Sequence, residues 1–201
     1  MFNLIRRDVI LQKRQLLLFI PFIAFFIIME ANPVLIFLVA SLMIPFNTYV
    51  YDEKVETNIL LNSLPYTRTE IIASRYLGAI IYMVLAIGVT SLTLFIFNKP
   101  FTMTDIAISC SLFLLFAAFT FPLFYIFKPG YIFPVIMISF LLLAGIGPNI
   151  VLFLAEHLTA ITDFIFNLSV PALYTGATFG IVVVYVISWG ISNIIYQRKA
   201  F

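Results

Sequence analysis

Six stretches of this chain, residues 15–29, 31–51, 76–98, 106–127, 129–155 and 164–197, contain no Asp, Glu, Lys or Arg. About 20 apolar residues in a helix cross the roughly 30 Å hydrocarbon core of a bilayer, where helices satisfy their own backbone polar groups. The chain therefore reads as an all-α integral membrane protein with six transmembrane helices. Composition agrees, since 63% of the residues are hydrophobic and only 10% charged, against roughly 25% charged in a soluble domain. The first stretch has fifteen residues, about 22 Å of helix. It spans only if Lys13 and Arg14 snorkel from a deeper backbone.

Six crossings place both termini on one side. The segments on that side hold Arg6, Arg7, Lys13, Arg14, Lys54, Arg68, Arg75, Lys128, Arg198 and Lys199, and the opposite loops hold only Lys99. Basic residues concentrate on the cytoplasmic side of membrane proteins, so the expectation is a multi-pass protein of the cell membrane with cytoplasmic termini. Tyr49, Tyr51, Tyr76, Tyr125, Tyr131 and Tyr196 fall at the same ends of the spans, where amphipathic rings form an interfacial belt. No small-x-small cleavage pattern follows the first apolar run, so the leader is read as uncleaved. Cys110 is the one cysteine, which excludes an internal disulfide.

One transmembrane domain over 1–201 divides as follows. Residues 2–14 place Phe2, Ile5, Val9 and Leu16 at helical spacing among basic residues, as an interfacial elbow helix or a plain basic leader would. Spans one and two occupy 15–51 and are joined by the short turn Glu30-Ala31-Asn32, with Pro33 opening the second helix. The segment 52–75 is the largest polar piece. Asp52 to Leu64 has helical character with acids in its first turn, Pro65 interrupts it, and Thr67-Arg68-Thr69-Glu70 is a capping box that opens span three. Spans three and four take up 76–127, and span five with short outer helices takes up 129–168. Gly145-Ile146-Gly147-Pro148 should end or kink span five. Span six and the tail fill 169–201. In span six, Gly176 and Gly180, then Ser188 and Ser192, recur four apart, a spacing of small residues that lets helices approach closely.

The chemistry in the spans is sparse. No acidic, basic or His residue lies deep in any span, which removes proton-relay and intramembrane aspartyl chemistry. Polar groups at depth are Asn47, Thr48, Thr90, Ser91, Thr93, Ser109, Thr120 and Ser139, types that ordinarily hydrogen-bond within or between helices. Glu156, His157 and Asp163 form the one cluster with ligand chemistry. They are too few for an ordinary zinc site and read more simply as solvated helix caps, so no metal is expected. No phosphate-binding loop of the G-x-x-x-x-G-K-[ST] type occurs, and the chain has no ATPase machinery of its own.

The stretch Tyr51-Asp52-Glu53-Lys54, through Asn62-Ser63-Leu64-Pro65-Tyr66-Thr67-Arg68, to Ile71-Ile72-Ala73-Ser74-Arg75-Tyr76-Leu77 resembles ABC exporter permeases of the second type. It is most similar to small Gram-positive permeases such as those of the phenol-soluble modulin peptide exporter. The resemblance implies an elbow helix before span one, a coupling helix between spans two and three that touches the ATPase, and short outer helices between spans five and six. It implies that Asp52, Glu53, Glu56, Asn58, Leu60, Leu64, Pro65, Thr67, Arg68 and Glu70 couple to the ATPase, with Glu53, Glu56 and Arg68 as the charged contacts. It further implies separate ATPase subunits that bind ATP and Mg, with no cofactor in this chain. A second copy or a related permease chain, membrane lipids and no nucleic acid complete the expected partners. The walls, with Phe at 23 positions, suit a lipophilic or amphipathic substrate such as a membrane-active peptide. A non-transporting membrane scaffold and a lipid-modifying enzyme built on Glu156, His157 and Asp163 stand as the alternatives.

Overall fold

The computed structural model describes residues 13–54, 66–127, 131–158, 162–163 and 167–198. They form seven helices: α1 (Lys13–Ile28), α2 (Pro33–Lys54), α3 (Arg68–Ile96), α4 (Met103–Ile126), α5 (Ile132–Gly145), α6 (Gly147–His157) and α7 (Val170–Arg198). The expected elbow helix and most of the coupling segment, residues 55–65, lie outside the described residues.

Five stretches are long and apolar enough to cross a membrane: Pro33–Val50, Arg68–Ile96, Met103–Ile126, Ile132–His157 and Pro171–Arg198. The described part of the first helix has 16 residues, so among the described residues the six-span expectation stands as five candidate crossings plus α1. The Gly-Pro break after span five is real but narrow. Ile146, at φ −95° and ψ −32°, is the cap between α5 and α6, and the Asn149 side chain donates to the Gly145 carbonyl at 3.1 Å. α6 begins at Gly147 and counts with α5 as a single apolar run of 26 residues, where the sequence predicts separate outer helices from Asn149 to Leu168.

The turn from α1 to α2 and the turn from α3 to α4 are built alike. Glu30 and Asn98 take left-handed backbone, with φ of 54° and 53°. Ala31 N–H donates to Phe26 O and Lys99 N–H to Leu94 O, while Glu30 N–H reaches Ile27 O and Asn98 N–H reaches Phe95 O. This is the paired bonding that closes a helix C-terminus. Lys99 Nζ meets Glu30 Oε1 at 3.2 Å between the two turns. Asn32 and Thr102 then start the following helices, Asn32 Oδ1 accepting from Val34 N–H and Thr102 forming a capping box with Asp105.

Two cores hold the helices. One joins Phe19, Ile23 and Ile27 of α1 to Ile36, Phe37 and Ile44 of α2 and to Tyr82, Ala86 and Leu94 of α3. The other packs Phe46 and Tyr49 of α2, Ile72 and Tyr76 of α3, Phe113, Phe121 and Tyr125 of α4, and Tyr185 and Tyr196 of α7. Burial is uneven. The spans of α2, α3 and α4 are 44%, 39% and 39% buried, against 11% for Ile132–His157 and 17% for Pro171–Arg198. The half of α7 before Tyr185 has no buried side chain among its described residues.

Candidate coupling site

The capping box read from the sequence is present. Thr67 has extended backbone, its hydroxyl accepts from Glu70 N–H at 3.2 Å, and Glu70 Oε2 accepts from Thr67 N–H at 2.9 Å. This fixes where α3 begins, at Arg68. The Arg68 guanidinium is thereby aimed at the end of α7, donating to the backbone carbonyls of Gln197 at 2.7 Å and Tyr196 at 3.4 Å. The last carbonyls of a helix lack intrahelical donors and carry its partial negative charge, so a guanidinium there both caps and neutralises.

Two turns further along α3, Tyr76 is fully buried. Its hydroxyl lies 2.8 Å from Ser188 Oγ and 2.7 Å from Ser192 Oγ, and Ser188 Oγ donates to Ala118 O of α4 at 2.6 Å. Each hydroxyl has one proton to give. Because Ser188 gives its proton to Ala118, Tyr76 must donate to Ser188, and Ser192 must donate to Tyr76. The result is an ordered chain, Ser192 to Tyr76 to Ser188 to the Ala118 carbonyl, that crosses three helices. Tyr185 donates to the Tyr76 carbonyl at 3.0 Å, and Trp189 stacks on the Tyr76 ring with centroids 5.9 Å apart and planes at 12°. On the other side, Tyr49 of α2 and Tyr125 of α4 share a hydrogen bond of 3.0 Å between hydroxyls, and the Arg75 guanidinium lies 5.6 Å from the Tyr49 ring centroid.

Several residues therefore sit differently from expectation. Tyr49, Tyr76, Tyr125 and Tyr196 are buried between helices rather than arrayed in a lipid-facing belt, because partners within the chain take their hydroxyls or stack on their rings; Tyr131 is exposed. Ser188 and Ser192, read from the sequence as small packing surfaces, are buried and act as hydrogen-bond partners of Tyr76. At Gly176 and Gly180 an added Cβ meets no atom within 4 Å, so among the described residues no close helix approach is seen at the glycine pair. Arg75, expected at the water boundary, is 92% buried, with only 8% of its surface exposed. Asp52 and Glu53 continue α2 without a break as far as Lys54, where the described residues stop, rather than opening a separate helix. Glu56, Asn58, Leu60, Leu64 and Pro65 lie outside the described residues.

The acidic and His cluster does not assemble. His157 Nδ1 is 2.9 Å from Phe153 O, and its ring stacks on Phe153 at 4.0 Å. Among the described residues no three His, Cys, Asp or Glu side chains are grouped to hold a metal. Sequence reasoning missed Tyr76, Tyr185, Trp189 and Arg75 as joints. The available signal was the Ser-x-x-x-Ser spacing in a span, which offers two hydroxyls on one face as well as two small surfaces.

No curated protein and no solved structure compared with the chain matches it. The model of one protein family, described as ABC-2 family transporter protein, matches residues 3–197. A family match over nearly the whole length, on a bundle with five apolar helices long enough to cross a membrane, leaves one assignment: the chain belongs to the ABC-2 transporter family and is a multi-pass membrane permease of an ABC transporter.

Proposed function

We propose that this permease is the membrane subunit of an ATP-driven exporter, and that ATPase subunits dock on the segment from Asp52 to Glu70. Closure of the ATPase dimer presses on that segment and is passed through the start of α3 to the rest of the bundle. What supports this reading is the Arg68 contact with the Gln197 carbonyl, which joins the exit of the segment to the last helix, so that α3 and α7 receive a push together. Rearrangement of packed helices between two states is how a small displacement at a docking point becomes a large one.

The cargo is a lipophilic or amphipathic molecule, such as a membrane-active peptide, moved outward from the cytoplasmic side where both termini lie. A second copy or a related permease chain completes the pathway. The weakly buried α5, α6 and outer α7, with open space at Gly176 and Gly180, supply the surface for it. The test is co-purification of an ATP-binding subunit from the native membrane, followed by charge reversal with Glu53→Lys and Glu56→Lys. Loss of ATPase association and of peptide export is expected. Unchanged association and export would remove the segment from the pathway, and uphill transport by the chain alone in vesicles would remove the ATPase.

A further inference from the structure

Beside the Arg68 contact, a groove of about 410 Å³ opens between the first two turns of α3 and the last turns of α7, with Glu70, Ala73, Val186, Trp189, Gly190 and Asn193 on its walls. Two of its polar atoms are acceptors, one buried on Asn193 and one solvent-facing on Glu70. The Asn193 side-chain oxygen is buried and has no hydrogen-bond partner among the described residues. Glu70 spends Oε2 on the Thr67 amide and hydroxyl, leaving Oε1 without a donor among the described residues. The nearby Thr69 hydroxyl cannot serve, because Thr67 gives its proton to Glu70 and so takes the Thr69 proton at 3.0 Å. A buried acceptor left unmatched costs about 1–3 kcal/mol, and a carboxylate beside it selects a donor that is also a cation.

The rest of the groove is apolar and wide for a reason that lies outside the chain's own packing. Glycine inside a helix costs about 1 kcal/mol relative to alanine, yet a Cβ at Gly190 would meet nothing within 4 Å. The groove lies at the basic end of the bundle, level with Trp189, at the depth where tryptophan marks the boundary between headgroups and acyl chains.

We propose that this groove binds the primary-ammonium headgroup of a phospholipid in the adjoining leaflet. The ammonium sits between the Glu70 carboxylate and Asn193 Oδ1, and the glycerol and upper acyl chain lie against Ala73, Val186 and Gly190. Three N–H donors satisfy both acceptors. A quaternary choline group carries the charge but has no N–H to offer Asn193. The inference is independent of what the permease transports.

The test uses the full-length chain purified in mild detergent, equilibrated with phosphatidylethanolamine, phosphatidylcholine or phosphatidylglycerol of the same acyl composition, with retained lipid measured by native mass spectrometry. Retention of phosphatidylethanolamine about tenfold above phosphatidylcholine is expected, together with its loss in Asn193→Leu and Gly190→Leu and its increase in Asn193→Asp. Equal retention of the three lipids overturns the proposal, and so does unchanged phosphatidylethanolamine retention in Gly190→Leu. Should Asn193→Leu fail to fold, the headgroup comparison on the unaltered chain and Gly190→Leu, whose added side chain enters open space, still decide. Disulfide-linked dimers of a Gly190→Cys, Cys110→Ser variant would assign the groove to a second copy and overturn the lipid.

Discussion

Arg68 donates a 2.7 Å hydrogen bond to the backbone carbonyl of Gln197, 129 positions away, and so fastens the beginning of the third helix to the end of the last. Arg68 opens α3 directly after the Thr67 cap, so the two helix ends are tied at this point.

Arg68→Ala should separate stability from transport. The bond is at the partly solvated end of a helix, so its loss should cost about 1 kcal/mol. A thermal melt in detergent should therefore shift by only a few degrees. Export and substrate-stimulated ATP hydrolysis by the assembled complex should fall several-fold or more, and Arg68→Lys should recover part of the loss. A normal export rate in Arg68→Ala would show that α7 takes no part in transmission.

Tyr76→Phe keeps the ring stacked on Trp189 but removes the hydroxyl between Ser192 and Ser188. Hydrogen bonds between helices in a membrane contribute about 0.6 kcal/mol on average and up to about 1.7. The expected loss is about 1 kcal/mol, and a double-mutant cycle with Ser192→Ala should give a coupling of about 0.5–1.5 kcal/mol. Additive losses would mean that the two hydroxyls are not bonded.

Gly176→Leu and Gly180→Leu should leave the fold of the single chain intact within about 0.5 kcal/mol, because an added side chain meets open space at both. If this stripe seats a second permease chain, both variants should weaken dimers in cross-linking or light scattering while the melting temperature of the monomer holds. A monomer that unfolds would place the stripe inside the chain's own packing.

At the α3–α4 turn, Asn98→Gly should match or raise the stability and Asn98→Val should lower it by about 1–2 kcal/mol, because left-handed backbone favours glycine and penalises a β-branched residue. The Glu30–Lys99 pair, with side chains 79% and 40% exposed, should contribute under about 1 kcal/mol and weaken with salt.

Helix positions were largely legible in the sequence because hydropathy and capping are local properties. Pro33 does open the second helix, Thr67 to Glu70 does cap the third, and Gly145 to Pro148 does break the fifth. The errors concern what lies across from each residue, which no local pattern states. Tyr76 belongs to an interfacial belt or to a buried hydrogen-bond chain according to whether Ser188 and Ser192 face it. Gly176 resembles Ser188 in spacing but differs in that, among the described residues, an added Cβ there would meet no atom within 4 Å. Arg75 is two turns along α3 from Arg68, yet is buried beside Tyr49, because the α2–α4 tyrosine pair offers an aromatic face to a guanidinium.

The proton order from Ser192 through Tyr76 and Ser188 to Ala118 restricts how α3 slides against α7. A displacement of an ångström or two would strand a hydroxyl in a place without water, whereas a full pitch of about 5.4 Å would bring the next pair of α7 positions, four residues on, opposite the same ring. A full turn would set Tyr76 against Ser192 and Tyr196, or against Val184 and Ser188, so the paired-serine seat exists at one register only.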